Sequence, residues 1–339
     1  MRYAQWVFDT FQFARQLIDI ESISGNEKNV GEFLYTKLAD LGFRTSKMPV
    51  EENRFNVYAT LSEKPVVVFS THMDTVPPFI PSSEDDSNLY GRGACDTKGI
   101  IAAMVTAALR LKQENAAIAM LFVVGEERDS LGARTANQHP VGSRYLINGE
   151  PTENRVALAS KGALRVEITA RGKMAHSAYP ELGESAIDKL LGALFNLRNL
   201  ELPESAEVGP TTMNIGVIEG GRAPNVIPDF AKAQLLYRLV GPSEKLKQDI
   251  VNAVGELAEV DFVLEIPFVK LHTFEDLPTF TASFTTDIPA LSNWGDPVLF
   301  GPGSIHVAHT DREYISKREL LEAAETYYRM AKALGQKSF

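Results

Sequence analysis

Three short apolar runs set the pattern of this chain: Val66-Val67-Val68-Phe69-Ser70, the stretch from Ala117 to Val124, and Arg144-Tyr145-Leu146-Ile147-Asn148. Runs of this length, rich in β-branched residues and bounded by turn residues, predict buried parallel strands. Helical spacing appears over residues 10–20. Ser24-Gly25-Asn26-Glu27 carries a capping-box pattern that opens a second helix stopping near Gly42. Thr97-Lys98-Gly99 opens an apolar helix over 100–111. After Glu150 the texture changes, because residues 163–170 alternate apolar and polar as a half-exposed strand should. A helix over 184–200, strands over 212–219 and 231–240, a helix over 243–257 and a strand over 261–266 follow. The expected fold is therefore α/β: a catalytic domain with a mostly parallel central sheet flanked by helices, and a small α+β domain inserted into it. Residues 1–161 and 272–339 would form the first domain and 162–271 the second.

Each apolar run ends in residues that ligate metals. Thr71-His72-Met73-Asp74 follows the first, Gly125-Glu126-Glu127 the second and Gly149-Glu150 the third, while Asp96 sits in the Gly-rich turn Gly91-Arg92-Gly93-Ala94-Cys95-Asp96. In open α/β sheets ligands bind outside the carboxyl ends of the strands, so one edge of one sheet would gather His72, Asp96, Glu126, Glu127 and Glu150. Imidazole supplies a neutral nitrogen, carboxylates supply hard oxygens, and one carboxylate can bridge two divalent cations. Without cations such a group of acids would repel and take up protons. Asp74, two residues beyond His72, points to the same side of an extended segment and is placed to hold the far ring nitrogen of His72. The helix opened by Thr97 would aim its N-terminal dipole near Asp96. Read alone, Glu126-Glu127 also fits an acidic helix start.

Composition narrows the partners. A chain of 339 residues, 44% apolar and 23% charged, is expected to be globular, soluble and large enough for two domains. Its net charge of −10 disfavours nucleic acid and anionic membranes. No stretch is apolar for long enough to span a bilayer. One cysteine excludes an internal disulfide and suits a reducing cytoplasm. Residues 1–9 hold an early acid and no clean apolar core, so no signal peptide is expected there.

These segments resemble the dizinc amidohydrolases that include acetylornithine deacetylase, succinyl-diaminopimelate desuccinylase, aminoacylase and glutamate carboxypeptidase. The resemblance extends to Gly172-Lys173-Met174-Ala175-His176, to Asn225-Val226-Ile227-Pro228 with Arg238, and to Gly301-Pro302-Gly303 through Ala308-His309-Thr310. It implies that His72 and Glu150 bind one zinc, Glu127 and His309 the other, and Asp96 both, with cobalt or manganese as possible substitutes. Glu126 would be the general base, moving a proton from a metal-activated water to the leaving nitrogen. The bond after Asp96 would be cis. The inserted domain would be a lid and dimerisation domain, making a homodimer. In it His176 would contact the oxyanion, and Arg238 and Asn225 would bind the substrate carboxylate, although Pro224 stands where some relatives carry a second amide. Hydrolysis of an N-acyl-L-amino acid is the expected reaction, with a carboxypeptidase or dipeptidase acting on short peptides as the alternative. A more remote alternative, a metal-binding relative without catalysis, does not explain why Glu126 stands beside a complete ligand set.

Overall fold

The computed structural model describes residues 8–336. Residues 1–7, which carry most of the reading against a signal peptide, lie outside the described residues. The chain divides into two compact units, the first made of Met1–Leu158, Leu271–Phe280 and Thr286–Phe339, the second of Ala159–Lys270 and Thr281–Thr285.

In the first unit the three apolar runs become β3 (Val67–His72), β4 (Ile118–Val123) and β5 (Tyr145–Asn148), preceded by a hairpin of β1 (Arg44–Glu51) and β2 (Arg54–Thr60). The sheet order is β1-β2-β4-β3-β5, with the strand Asp296–Leu299 at the far edge. β3 runs parallel to both β4 and β5, and Asp296–Leu299 runs parallel to β5. β1, β2 and β4 pair antiparallel in turn, so the sheet is mostly parallel, as expected. Every residue of β3, β4 and β5 is buried, which is why these strands read as unbroken apolar runs rather than as alternation. The chain lays β4 on one side of β3 and β5 on the other. That reversal opens a crevice at the carboxyl end of β3, where α/β folds bind ligands.

Helices cover the sheet. They are α1 (Thr10–Ile18), α2 (Lys28–Asp40), α3 (Lys98–Gln113), the short α4 (Leu131–Asn137) and the last described helix, Lys317–Gln336. α3 packs against α1 and the last helix and is buried almost all round, so its apolar residues are not confined to one stripe. α2 ends at Gly42 (φ 82°), where the Phe43 N–H returns to the Leu38 carbonyl, as a left-handed C-terminal cap does. Its start differs from the expected capping box. Glu27 makes no side-chain cap bond and pairs with Arg54 at 2.7 Å, while the Ser24 hydroxyl donates to Asp74 Oδ2 at 2.6 Å. Tertiary partners outcompete the local cap.

The second unit is a four-stranded antiparallel sheet of β6 (Gly162–Arg171), β7 (Thr212–Gly220), β8 (Phe230–Leu239) and β9 (Glu259–Ile266), in the order β7-β8-β6-β9. Alternate residues Leu164, Val166, Ile168 and Ala170 share a core with Leu190 and Leu194 of α5 (Ala186–Arg198) and with Ile250 of α6 (Glu244–Val254). α5 is capped by Ser185, whose hydroxyl accepts from the Asp188 N–H at 3.1 Å. Among the described residues no helix is long and apolar enough to cross a membrane.

Candidate metal centre and active site

His72 is the last residue of β3 and is 1% exposed. Strand register sets its neighbours. His72 pairs with Val123 and Ser70 with Asn148, so the segments that continue β4 and β5 bring Glu126, Glu127 and Glu150 to the level of the imidazole. Gly149 permits this on the β5 side, since a Cβ there would stand 2.4 Å from Ile100. The closest partner of His72 Nδ1 is the Asp74 carbonyl oxygen at 3.0 Å, with the Asp74 carboxylate at 3.6 Å. Nε2 faces Asp96 Oδ1 at 3.0 Å and Glu150 Oε2 at 4.0 Å; with Nδ1–H donating to the Asp74 carbonyl, a neutral imidazole would offer Nε2 to a cation.

Asp96 stands between the two histidines. Its second oxygen, Oδ2, is 3.2 Å from His309 Nε2, which is also 3.0 Å from Glu127 Oε2. His309 reaches that position from a left-handed backbone conformation, φ 63°, uncommon for a residue with a side chain. The Asp96–Thr97 peptide bond is cis, and the Thr97 hydroxyl donates to the His72 carbonyl at 2.6 Å. The Asp74 carboxylate is fully buried and accepts from the backbone N–H groups of Glu126 (3.2 Å) and Glu127 (3.3 Å) as well as from Ser24. It thereby fixes the turn carrying both acids. That turn is closed by Ser130 N–H on the Gly125 carbonyl at 2.8 Å. The acid pair precedes α4 in this turn, so the helix-start reading of Glu126-Glu127 is not what the chain adopts.

The electrostatics follow from burial and proximity. Burial pushes Glu126 and Glu150 well above the usual carboxylate range, and for Glu126 the charges of Asp287, Asp96 and Glu127 add to the rise against the opposing His72. For Asp96 and Asp74 burial acts upward too, but it is outweighed by His309 and His72 at Asp96, and by His72 with the Ser24 hydroxyl and the Glu126 amide at Asp74, so both carboxyls are held low. Hydrogen bonds to Asp96 and Glu127 push His309 up to about 10.

The donor set fits divalent cations. Ligand atoms of His72, Asp96 and Glu127 all lie within 4.8 Å of one another, and Glu150 Oε1 is buried with no hydrogen-bond partner among the described residues. Two such cations would place one carboxylate, Asp96, between them.

The remaining sequence candidates lie in the second unit. His176 is exposed, and its Nδ1 accepts from the Ala178 N–H at 3.1 Å. A two-residue pairing sets His176 opposite Val226, and the Asn225 carbonyl accepts from Ser177 N–H at 3.0 Å, which brings these two segments together. Arg238 lies on β8 opposite Ala163 and Thr212. Among the described residues its guanidinium has no hydrogen bond or ion pair. His306 is exposed and Cys95 buried. Burial also pushes the Cys95 thiol well up, leaving it a packing residue rather than a nucleophile.

Sequence reasoning missed three residues. Ser24 was legible only as a cap. Asp287 is 1% exposed, and burial, opposed by the Ser130 side chain, pushes it up to about 7. Nothing in Thr286-Asp287-Ile288 signalled it. Glu313 is the third.

Comparison with known proteins places the chain. A Peptidase dimerisation domain matches residues 158–262 and Peptidase family M28 matches residues 56–173. A peptidase M20 domain-containing protein of Schizosaccharomyces pombe is 38% identical over 93% of this chain and 82% of its own length. A probable carboxypeptidase of Aspergillus fumigatus is 37% identical over 95% of this chain and 86% of its own. A Staphylococcus aureus tripeptidase shares the fold, with TM-score 0.81 and 22% identity over 97% of this chain and 98% of that one. So does a dinuclear metal-binding peptidase of the M20 family from Bacillus subtilis, with TM-score 0.70 and 16% identity over 96% of each chain. The chain belongs to the M20 peptidase family and is a hydrolase of the metallopeptidase class.

Proposed function

We propose that the protein is a metal-dependent peptidase of carboxypeptidase or dipeptidase type, acting on short peptides with a free carboxyl terminus. The observation that carries this reading is the Asp96 carboxylate lying between His72 and His309, with the raised Glu126 beside it. Relatives named as carboxypeptidases match over most of their length, which supports peptides over the N-acyl-L-amino acid first expected. His72 and Glu150 would hold one cation, Glu127 and His309 the other, and Asp96 both, zinc being the first choice and cobalt or manganese also suited. Such cations, when bound, acidify a water and polarise the scissile carbonyl. Glu126, raised by its surroundings, accepts that water's proton and returns it to the leaving nitrogen. Asp74 keeps Glu126 and Glu127 in place through their amides. Side-by-side turnover of dipeptides, N-acetyl and N-succinyl amino acids by zinc- and cobalt-loaded protein decides the substrate class. Dipeptides should be the faster, and faster N-acetyl substrates would restore the deacylase reading.

Arg238, with no partner among the described residues, is assigned to the substrate's terminal carboxylate, a task suited to a bidentate donor, with Asn225 assisting. Amidating the substrate carboxyl should lower kcat/KM strongly. Arg238→Ala should lower it for the acid and barely change it for the amide. Equal losses on both substrates would make Arg238 structural.

The second unit is also the proposed homodimer surface. β7 is an edge strand whose Val217 and Ile218 are exposed, and Leu191 and Phe195 of α5 are exposed as well. Such an edge invites pairing with a second copy. His176 is then assigned to the oxyanion in the other subunit's site. Refolding inactive His176→Ala and Glu126→Ala proteins together should return about a quarter of wild-type activity, since half the dimers are mixed and each carries one complete site. A mixture as inactive as its parents, with subunit exchange verified, would place His176 in its own subunit's site or make the protein a monomer.

A further inference from the structure

Four residues after His309 the chain reaches Glu313, an acid in the polar turn Thr310-Asp311-Arg312-Glu313. Glu313 is 2% exposed. The next residues, Tyr314–Ser316, pair antiparallel with Asn88–Tyr90, and the Gly91 N–H adds one more rung by donating to the Glu313 carbonyl at 3.1 Å. From this ladder one strand turns through Arg92 and Cys95 to Asp96, and the other runs back to His309. The Glu313 side chain closes the gap between them. Its Oε1 accepts from the backbone N–H groups of Cys95 and Asp96, both at 3.2 Å. Its Oε2 accepts from Arg92 Nη1 at 2.7 Å, and Arg92 in turn donates from Nε to the Pro78 carbonyl at 3.2 Å.

A buried carboxylate beside Asp96 adds negative charge to an acid-rich site. As a stabilising device it is poor, because a buried ion pair can often be exchanged for apolar residues at little cost. What an apolar residue cannot do is accept two converging amides. We propose that Glu313 is a positioning residue that holds the backbone of Asp96 at a set distance from His309, so that Asp96 Oδ2 and His309 Nε2 can share one cation. This role rests on the metal reading of the site. It acts through the ligands and touches neither substrate nor metal. Arg92 has the subordinate task of neutralising Glu313 and orienting it.

The test separates amide-holding from charge pairing. In Glu313→Gln the guanidinium of Arg92 draws the new carbonyl oxygen, which turns the NH2 group against the Cys95 and Asp96 N–H donors. In the double variant Arg92→Met with Glu313→Gln the guanidinium no longer competes, and the oxygen can return to the two amides. Glu313→Gln is expected to weaken the more loosely held zinc equivalent about 10–100-fold in chelator competition, as loss of a partner that orients metal ligands does. The cobalt absorption of that site should change, kcat should fall, and KM should stay within about threefold. The double variant should recover metal affinity to within about threefold of wild type. Wild-type affinity for both equivalents in Glu313→Gln would overturn the proposal. So would a folded double variant no better than the single one, because charge pairing would then be what matters. If Glu313→Gln does not fold, the double variant alone decides between these outcomes. A wild-type protein that takes up neither zinc nor cobalt would overturn the metal reading itself and this role with it.

Discussion

Replacing Glu126 by Gln is expected to lower turnover by at least roughly a hundredfold while the metal content measured by elemental analysis stays normal. The amide keeps the size and shape of the carboxyl group but cannot accept a proton. Glu126 is carried by a turn that Asp74 holds through two backbone amides, so the substitution leaves the scaffold of the neighbouring ligand Glu127 in place. Burial first, and then the neighbouring acids, raise the Glu126 pKa well above the usual carboxylate range, which favours its taking up a proton. Loss of metal in Glu126→Gln would move the residue into the ligand set. Near-normal turnover would remove it from the mechanism.

Asp96→Asn is expected to have an effect of similar size for a different reason. The amide offers one neutral oxygen where the carboxylate faces both His72 and His309, so it cannot serve two cations. Wild-type protein freed of metal by a chelator should regain activity with added zinc and melt at higher temperature, since a ligand at a hundred times its Kd stabilises by about 2.7 kcal/mol. The variant should show neither response to comparable zinc. Uptake should also release protons, because His309, raised to about 10 by Asp96 and Glu127, is protonated at neutral pH in the metal-free protein and must lose that proton to bind. Wild-type affinity should therefore fall as pH drops from about 10, and calorimetric heats should depend on the buffer. Removing the Asp96 charge removes the first cause of the His309 shift, so the variant's proton release should shrink. Zinc-dependent melting equal to wild type in Asp96→Asn would leave the bridging assignment without support.

Some of this architecture could be read directly along the chain. β3, β4 and β5 are buried on both faces, and double burial writes itself as continuous apolar sequence. β6 and β8 face a core on one side only, and their alternation shows it. The hairpin of β1 and β2 is not legible in the sequence, because the residues of β1 are exposed or half-exposed and leave little apolar signal. The last helix, Lys317–Gln336, carries a buried stripe of Leu320, Ala323, Tyr327 and Leu334 that also went unread, its alanines and tyrosine contributing weakly to the pattern.

The sequence by itself determined which residue types stand at the strand ends, because strand length and periodicity are local properties that burial imprints on composition. That was enough to expect His72, Asp96, Glu126, Glu127 and Glu150 at one edge of one sheet. The motif resemblance added His309 to Asp96, and only the tertiary structure decided the other contacts among residues far apart in the chain: Ser24 donating to Asp74 instead of capping its own helix, and Glu313 accepting the Asp96 amide from 217 positions away. These pairings depend on how loops close across the sheet edge. A polar residue in a turn satisfies its hydrogen bonds with whichever partner the fold presents, so nothing in its local sequence records the choice.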